Sequence, residues 1–221
     1  GYALPGDAYH ATSPDREGRG IEAAVRMALA DAGLAPGEID FVSAHGTGTE
    51  ANDAAESQAM ARLFGASVPV SSSKSFLGHT LGASGIIEII ATLAVAKDGL
   101  IPPTANFSGL RPGCADLDYV PNAPRAHRVR RFVCNNYAFG GNNASTVIDL
   151  APGAAVLRAP ARDAVAITGI GVVSALGQGF ARFAEGFAAG EAFAIAEADA
   201  ARPVARVESF AFSDPRLKAF V

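Results

Sequence analysis

The chain has 221 residues, a formal net charge of −4 and a pI near 5.6, with 49% hydrophobic and 18% charged side chains. That balance excludes a disordered or fibrous chain, and an acidic chain without Trp lacks the basic, ring-bearing surface that nucleic acid demands. Two cysteines, Cys114 and Cys134, and four histidines give neither a disulfide framework nor a metal-ligand spacing, so no metal is expected and the cytoplasm is the expected compartment.

Nothing after Gly1 reads as a basic and then apolar leader. The longest apolar stretch, Gly85 to Ala96, is too short for a bilayer and carries Glu88, so no membrane span is expected. Tyr2 to Asp15 is irregular, with a turn at Ser13-Pro14-Asp15. From Gly20, apolar residues from Ile21 to Ala32 recur at helical spacing, and Gly33 follows as a C-cap. Ile39 to Ala44 is a short apolar run that predicts a strand, and it delivers Ser43-Ala-His-Gly-Thr-Gly-Thr-Glu50. The rest of the chain is read around that stretch: two glycines let the backbone turn tightly, and His45 stands at a strand's carboxyl end, where open α/β sheets bind ligands. The plain alternative is a histidine that only closes a Gly-rich turn. A second helix is expected from Asn52, as N-cap, to Leu63.

Val68 to Ser73 predicts the next strand, followed by a loop, Lys74-Ser-Phe-Leu-Gly-His79, with two more nitrogen donors. The helix after it carries Ile86, Ile87, Ile89, Ile90, Leu93 and Val95 all round, and is expected to be buried on every side. A charge inside such a helix needs a partner. Glu88 is therefore expected to pair with Lys74, the alternative being a neutral carboxyl bonded to backbone. Ile101 to Pro124 is a Pro- and Gly-containing excursion. Arg125, His127, Arg128, Arg130 and Arg131 follow as a basic cluster, read either as a solvated face or as a dock for an acidic protein.

Phe132 to Asn136 and Ala144 to Leu150 predict a hairpin closed by Tyr137-Ala-Phe-Gly-Gly-Asn-Asn143. Residues 151–163 have linker composition. Beyond them come a strand at Ala164 to Thr168, the stretch Gly169-Ile-Gly-Val-Val-Ser174, and a helix around Phe180 to Ala189. This is no dinucleotide fingerprint: Ser174 occupies the third glycine position, and the acid Glu191 lies beyond Gly190 rather than at a second strand's end. The remainder, with a turn at Ser213-Asp214-Pro215, carries no chemistry.

His45, His79 and Lys74, with a Gly-Gly loop, suit a site that stabilises negative charge on a carbonyl oxygen, such as the enolate left by a decarboxylation. No nucleophile stands in a convincing place. Cys134 lies in a predicted strand and Cys114 in an ordinary loop, neither at a helix N-terminus that would lower its pKa.

Residues 1–150 resemble the C-terminal half of the β-ketoacyl-acyl-carrier-protein synthases, the condensing enzymes of fatty acid and polyketide synthesis. The resemblance rests on His-Gly-Thr-Gly-Thr at 45–49, Lys-Ser-Phe-Leu-Gly-His at 74–79 and Asn-Tyr-Ala-Phe-Gly-Gly at 136–141. It implies an α/β, thiolase-like fold in αβαβα layers, of which this chain supplies half. It also implies a decarboxylative condensation of malonyl-carrier protein with an acyl thioester. By position, His45 and His79 would assist decarboxylation, Lys74 would tune the site with Glu88 as partner, and Thr47 and Thr49 would bond the phosphopantetheine arm. Phe139 would gate the site and lend its N–H to an oxyanion hole, with Gly140 and Gly141 giving the loop freedom.

The family's nucleophilic cysteine belongs to its N-terminal half, and no position here matches it. Val165 to Gly177 resembles the family's opening, so residues 164–221 read as the incomplete beginning of a second unit. The favoured origin is a junction of tandem units, the other a truncated or permuted single one. Acyl carrier protein and a dimer partner, a second copy or a ketosynthase-like subunit, are the implied partners; no permanently bound cofactor is implied beyond the carrier's arm. The segment alone is expected to be inactive. The rivals are a non-catalytic partner of the chain-length-factor kind and a decarboxylase that works without a thiol.

Overall fold

The structure is a computed structural model, and it describes residues 1–151, 172–174, 177–189, 195–196 and 204–205. By contact the chain divides into two compact units, Gly1–Pro160 and Ala161–Val221. The expected linker after Ala151, the strand at 164–168, Gly169 to Gly171, Glu191 and the turn at 213–215 lie outside the described residues.

The first unit is built on a five-stranded mixed sheet. Strands β1 (Tyr2–Ala3), β2 (Phe41–Ser43), β3 (Val70–Ser71), β6 (Arg131–Ala138) and β7 (Asn142–Asp149) take the order β1-β7-β6-β2-β3. A short pair, β4 (Leu100–Ile101) with β5 (Arg125–Ala126), closes the 101–124 excursion. Parallel pairing sets Phe41 beside Phe132, Val42 beside Val133 and Ser43 beside Cys134. Side chains alternate across a strand, so this register divides the core. Val42 and Val133 join the cluster under helices α1 (Arg19–Ala32) and α2 (Glu50–Phe64), whereas Phe41, Phe132 and Cys134 join Ile101 and Val120 on the other face. The second face also receives Ile89 of helix α4 (Ser84–Ala96).

Helix α1 follows its predicted spacing: Ile21, Ala24, Val25, Ala28 and Leu29 are buried, and Gly33 caps it at φ +68°. Four expectations change. Helix α2 begins at Glu50 with Thr49 at the cap position, so Asn52 is not the cap but a buried helical residue bonded to Glu56. Lys74–Leu77 is a turn of helix (α3) rather than a loop, because its N–H groups bond back to Ser73. The hairpin strands β6 and β7 run further toward each other than expected, leaving only residues 139–141 to turn. Helix α4 is not buried all round. Its sheet-facing side carries Ser84, Glu88, Ala91, Thr92 and Val95, while Ile86 is 47% and Leu93 37% exposed.

The basic cluster is largely neutralised from within. Arg125 makes a two-pronged bond to Asp118 at 2.8 Å, Arg131 pairs with Glu38 and Asp149, and the His127 ring meets the Asp40 carbonyl. Arg128 and Arg130 remain exposed. The solvated-face reading therefore fits better than a dock. The cluster also sits at the Arg131 end of β6, about 23 Å of strand from the Ala138 end.

In the second unit, Val173–Ser174 pairs with Gly177–Gln178 and Ile195–Ala196 with Val204–Ala205. Helix α5 (Phe180–Ala188) lies where it was expected, with Phe183 and Phe187 stacked one turn apart.

Candidate active site

The carboxyl end of β2 and the far end of β6 bring the first group together. His45 lies just past β2, after Ala44, and is buried, its ring edge-on to His79 at 5.3 Å between centroids and 5.2 Å from Tyr137 of β6. Burial, then the Lys74 ammonium and His79, push the His45 imidazole down to about 3. His79 is more exposed, and it too is shifted down, by desolvation and by Lys74. Both rings are therefore neutral near pH 7. The backbone N–H of Leu81 donates to His79 Nδ1 at 3.2 Å, which leaves the ring proton on Nε2, and the Ser84 hydroxyl, 3.0 Å away, donates to the same Nδ1. His79 can thus offer one N–H donor.

Lys74 and Glu88 pair as expected. Their side chains are 5% and 2% exposed, and the ammonium donates to Glu88 Oε1, while Asn136 Nδ2 donates to Oε2 at 3.3 Å. Burial outweighs both partners and lifts the Glu88 carboxyl to about 6.

The Gly-rich loop after His45 is held by a residue that motif reading missed. Glu56, buried on α2, accepts the N–H of His45 and of Gly46 at 2.9 Å each. Burial raises its pKa and those two N–H groups oppose the rise. Its sequence signal was weak, an acid eleven residues past the histidine within a helix of mixed polarity. Gly46 is required on two counts: φ is +41°, and a Cβ there would lie 2.5 Å from the Ser72 Cβ. Thr47 and Thr49 follow with their hydroxyls 3.0 Å apart.

Phe139, at the hairpin tip, is 77% exposed. The glycines beside it are pinned rather than free. Gly140 donates its N–H to the Ala11 carbonyl at 2.7 Å, and the Gly141 carbonyl accepts the Asp7 N–H at 2.8 Å. Asp7 also takes a bond from Asn143 Nδ2 at 2.5 Å. The irregular segment Tyr2 to Asp15, unreadable as chemistry, is thus the brace of this tip.

Cys134 is buried, and desolvation followed by the Glu88 charge pushes it up to about 12; Cys114 is half-buried in the excursion. Among the described residues no three His, Cys, Asp or Glu side chains are grouped to hold a metal, and no helix is long and apolar enough to cross a membrane.

Residues 1–108 match the family described as β-ketoacyl synthase, C-terminal domain. The first unit belongs to the β-ketoacyl synthase family. A curated relative, 3-oxoacyl-[acyl-carrier-protein] synthase 2 of Coxiella burnetii, is 40% identical over 151 residues, which cover 67% of this chain and 36% of that protein. Among solved structures, the ishigamide ketosynthase/chain length factor is 45% identical with a TM-score of 0.63, over 67% of this chain and 36% of the other. A ketosynthase bound to the hexaketide, in complex with its type II polyketide acyl-carrier protein, is 33% identical with a TM-score of 0.65, over 67% and 37%. The first unit is accordingly part of a thiolase-like ketosynthase fold, and the chain spans little more than a third of the length of these relatives.

Proposed function

We propose that the first unit is the histidine- and lysine-bearing half of a β-ketoacyl-acyl-carrier-protein synthase, an acyltransferase that joins malonyl-carrier protein to an acyl thioester with loss of carbon dioxide. The observation that carries this reading is the pair of neutral imidazoles, His45 and His79, in edge contact beside the buried Lys74 and Glu88. Decarboxylation of a malonyl thioester leaves an enolate oxygen. Neutral N–H donors aimed at that oxygen favour the transition state, and His79 has its proton on Nε2 for the purpose. Lys74 disfavours an imidazolium at either ring while Glu88 holds the ammonium in place.

Thr47 and Thr49 would bond the phosphopantetheine arm of the carrier. Phe139 would stand over the entrance, its N–H contributing to the acyl oxyanion hole, with Gly140 and Gly141 shaping the turn. The acyl-accepting cysteine would come from another part of the enzyme. Residues 1–150 would form the closing half of one unit, 151–163 a linker, and 164–221 the start of a tandem second unit, in a cytoplasmic assembly with acyl carrier protein and a dimer partner.

A second reading is a chain-length-factor-like subunit that shapes a tunnel without condensing, supported by the 45% identity to the solved ketosynthase/chain length factor. The test is incubation of the intact polypeptide with malonyl-carrier protein and an acyl thioester. Carbon dioxide release with β-ketoacyl product, both lost in His45→Ala and His79→Ala, is the expected result. No product supports the subunit reading, and release without condensation supports a thiol-free decarboxylase.

A further inference from the structure

We propose that Arg111 is a positioning residue that locks the Thr47–Thr49 loop in the shape that receives the carrier's phosphopantetheine arm, an inference that rests on the condensing reading above. Arg111 belongs to the 101–124 excursion, to which the motifs assign nothing. Its guanidinium Nη1 donates to the Gly48 carbonyl at 2.5 Å and lies 3.4 Å from Asp53 Oδ2. The other oxygen of Asp53 accepts the Gly48 N–H at 3.1 Å. One ion pair therefore holds both polar backbone atoms of Gly48.

Gly48 is the residue in this loop most in need of holding. It has φ +79°, with nothing within 4 Å of where a side chain would begin, so neither a Cβ nor close packing restricts it. It also separates Thr47 from Thr49. Rotation of either adjoining peptide would part the two hydroxyls, which lie 3.0 Å from each other and would offer an uncharged amide chain a pair of groups that can each donate or accept.

The excursion brings Arg111 to Gly48 by backbone anchors of its own. Ser57 Oγ accepts the Ala115 N–H at 3.0 Å, Gln58 Nε2 donates to the Gly113 carbonyl at 3.1 Å, and the Cys114 N–H closes a turn on the Arg111 carbonyl. Removing the guanidinium thus releases the clamp and leaves the excursion seated on α2. Both contacts are made by the one nitrogen Nη1, whose hydrogens the planar guanidinium holds in fixed directions, whereas a lysine ammonium is a freely rotating point charge. The Arg111 side chain is 51% exposed, which keeps the effect moderate.

The experiment is steady-state kinetics of the intact polypeptide with two malonyl donors: malonyl-carrier protein, which bears the arm, and malonyl ethyl thioester, which has none. Arg111→Gln is expected to raise KM for malonyl-carrier protein about five- to tenfold with kcat within about twofold, and to leave kcat/KM for the ethyl thioester unchanged. Arg111→Lys is expected to fall between wild type and Arg111→Gln. An unmoved KM overturns the proposal, as does an equal loss with both donors, the mark of a general structural role. A wild type inactive on both donors overturns the condensing reading and this inference with it, whereas an active wild type with an unaffected Arg111→Gln overturns the clamp alone.

Discussion

Acidification from pH 7 to pH 5 is expected to cost the fold about 2 kcal/mol through His45 alone. The folded imidazole is held at about 3 by burial and by Lys74, against 6.5 for the free side chain. The folded state therefore keeps it neutral while the unfolded chain takes up a proton. Stability from this group is complete above about 6.5 and drains away as the pH falls toward 3, at up to about 1.4 kcal/mol per pH unit. Integrated from pH 7 to 5, the loss comes to about 2 kcal/mol. Glu88 works in the other direction. Its carboxyl is lifted to about 6 from 4.5, so its contribution is complete below about 4.5 and is lost as the pH rises through 6. Over the same interval it returns about 1 kcal/mol. The two are separated by urea denaturation of the intact polypeptide as wild type and as His45→Gln, since the variant keeps Glu88 and loses the imidazole. The gap between the two stabilities should shrink by about 2 kcal/mol between pH 7 and pH 5. Parallel pH profiles, or a His45 ring that titrates above about 5 by NMR, would refute the reasoning.

Glu88→Leu strands the buried Lys74 ammonium and is expected to lower stability by about 3–5 kcal/mol in the same assay, while Lys74→Met with Glu88→Leu recovers most of that loss. A double variant as damaged as the single would show that the pair's charge balance is not what matters. Glu56→Gln retains one acceptor for two N–H groups, so it should cost about 2 kcal/mol and speed hydrogen exchange at His45 and Gly46 roughly thirtyfold. Unchanged protection there would remove Glu56 from its bracing role. Gly46→Ala must accept φ +41° and displace Ser72, and a loss of about 2 kcal/mol or more is expected in thermal unfolding; a wild-type midpoint would mean that the loop relaxes freely.

What could be read in the sequence was whatever a short stretch determines by itself. The β2 run and its glycines place His45, the apolar periodicity of 21–32 makes α1, and a lone acid in an apolar helix demanded a cation, which Lys74 supplies. What could not be read depends on where distant stretches meet. Arg111 reaches Gly48 across 63 residues, and Asn143 reaches Asp7 across 136, so neither contact leaves a local pattern. The burial of α4 failed for a related reason. Six apolar side chains record how apolar the helix is, not what covers it, and Ile86 and Leu93 lie on the side away from the sheet.

The parallel pairing of β2 with β6 also sets an order of assembly. Ser43 lies beside Cys134, and Tyr137 then stands against the His45 ring. Closing that span of roughly ninety residues carries an entropic penalty on the order of 4 kcal/mol before any contact rewards it. His45 therefore acquires this wall only after the strand at 131–138 has been made and docked. On the ribosome, the histidines leave the exit tunnel well before the environment that keeps them neutral exists, and until then they titrate as ordinary solvent-exposed imidazoles.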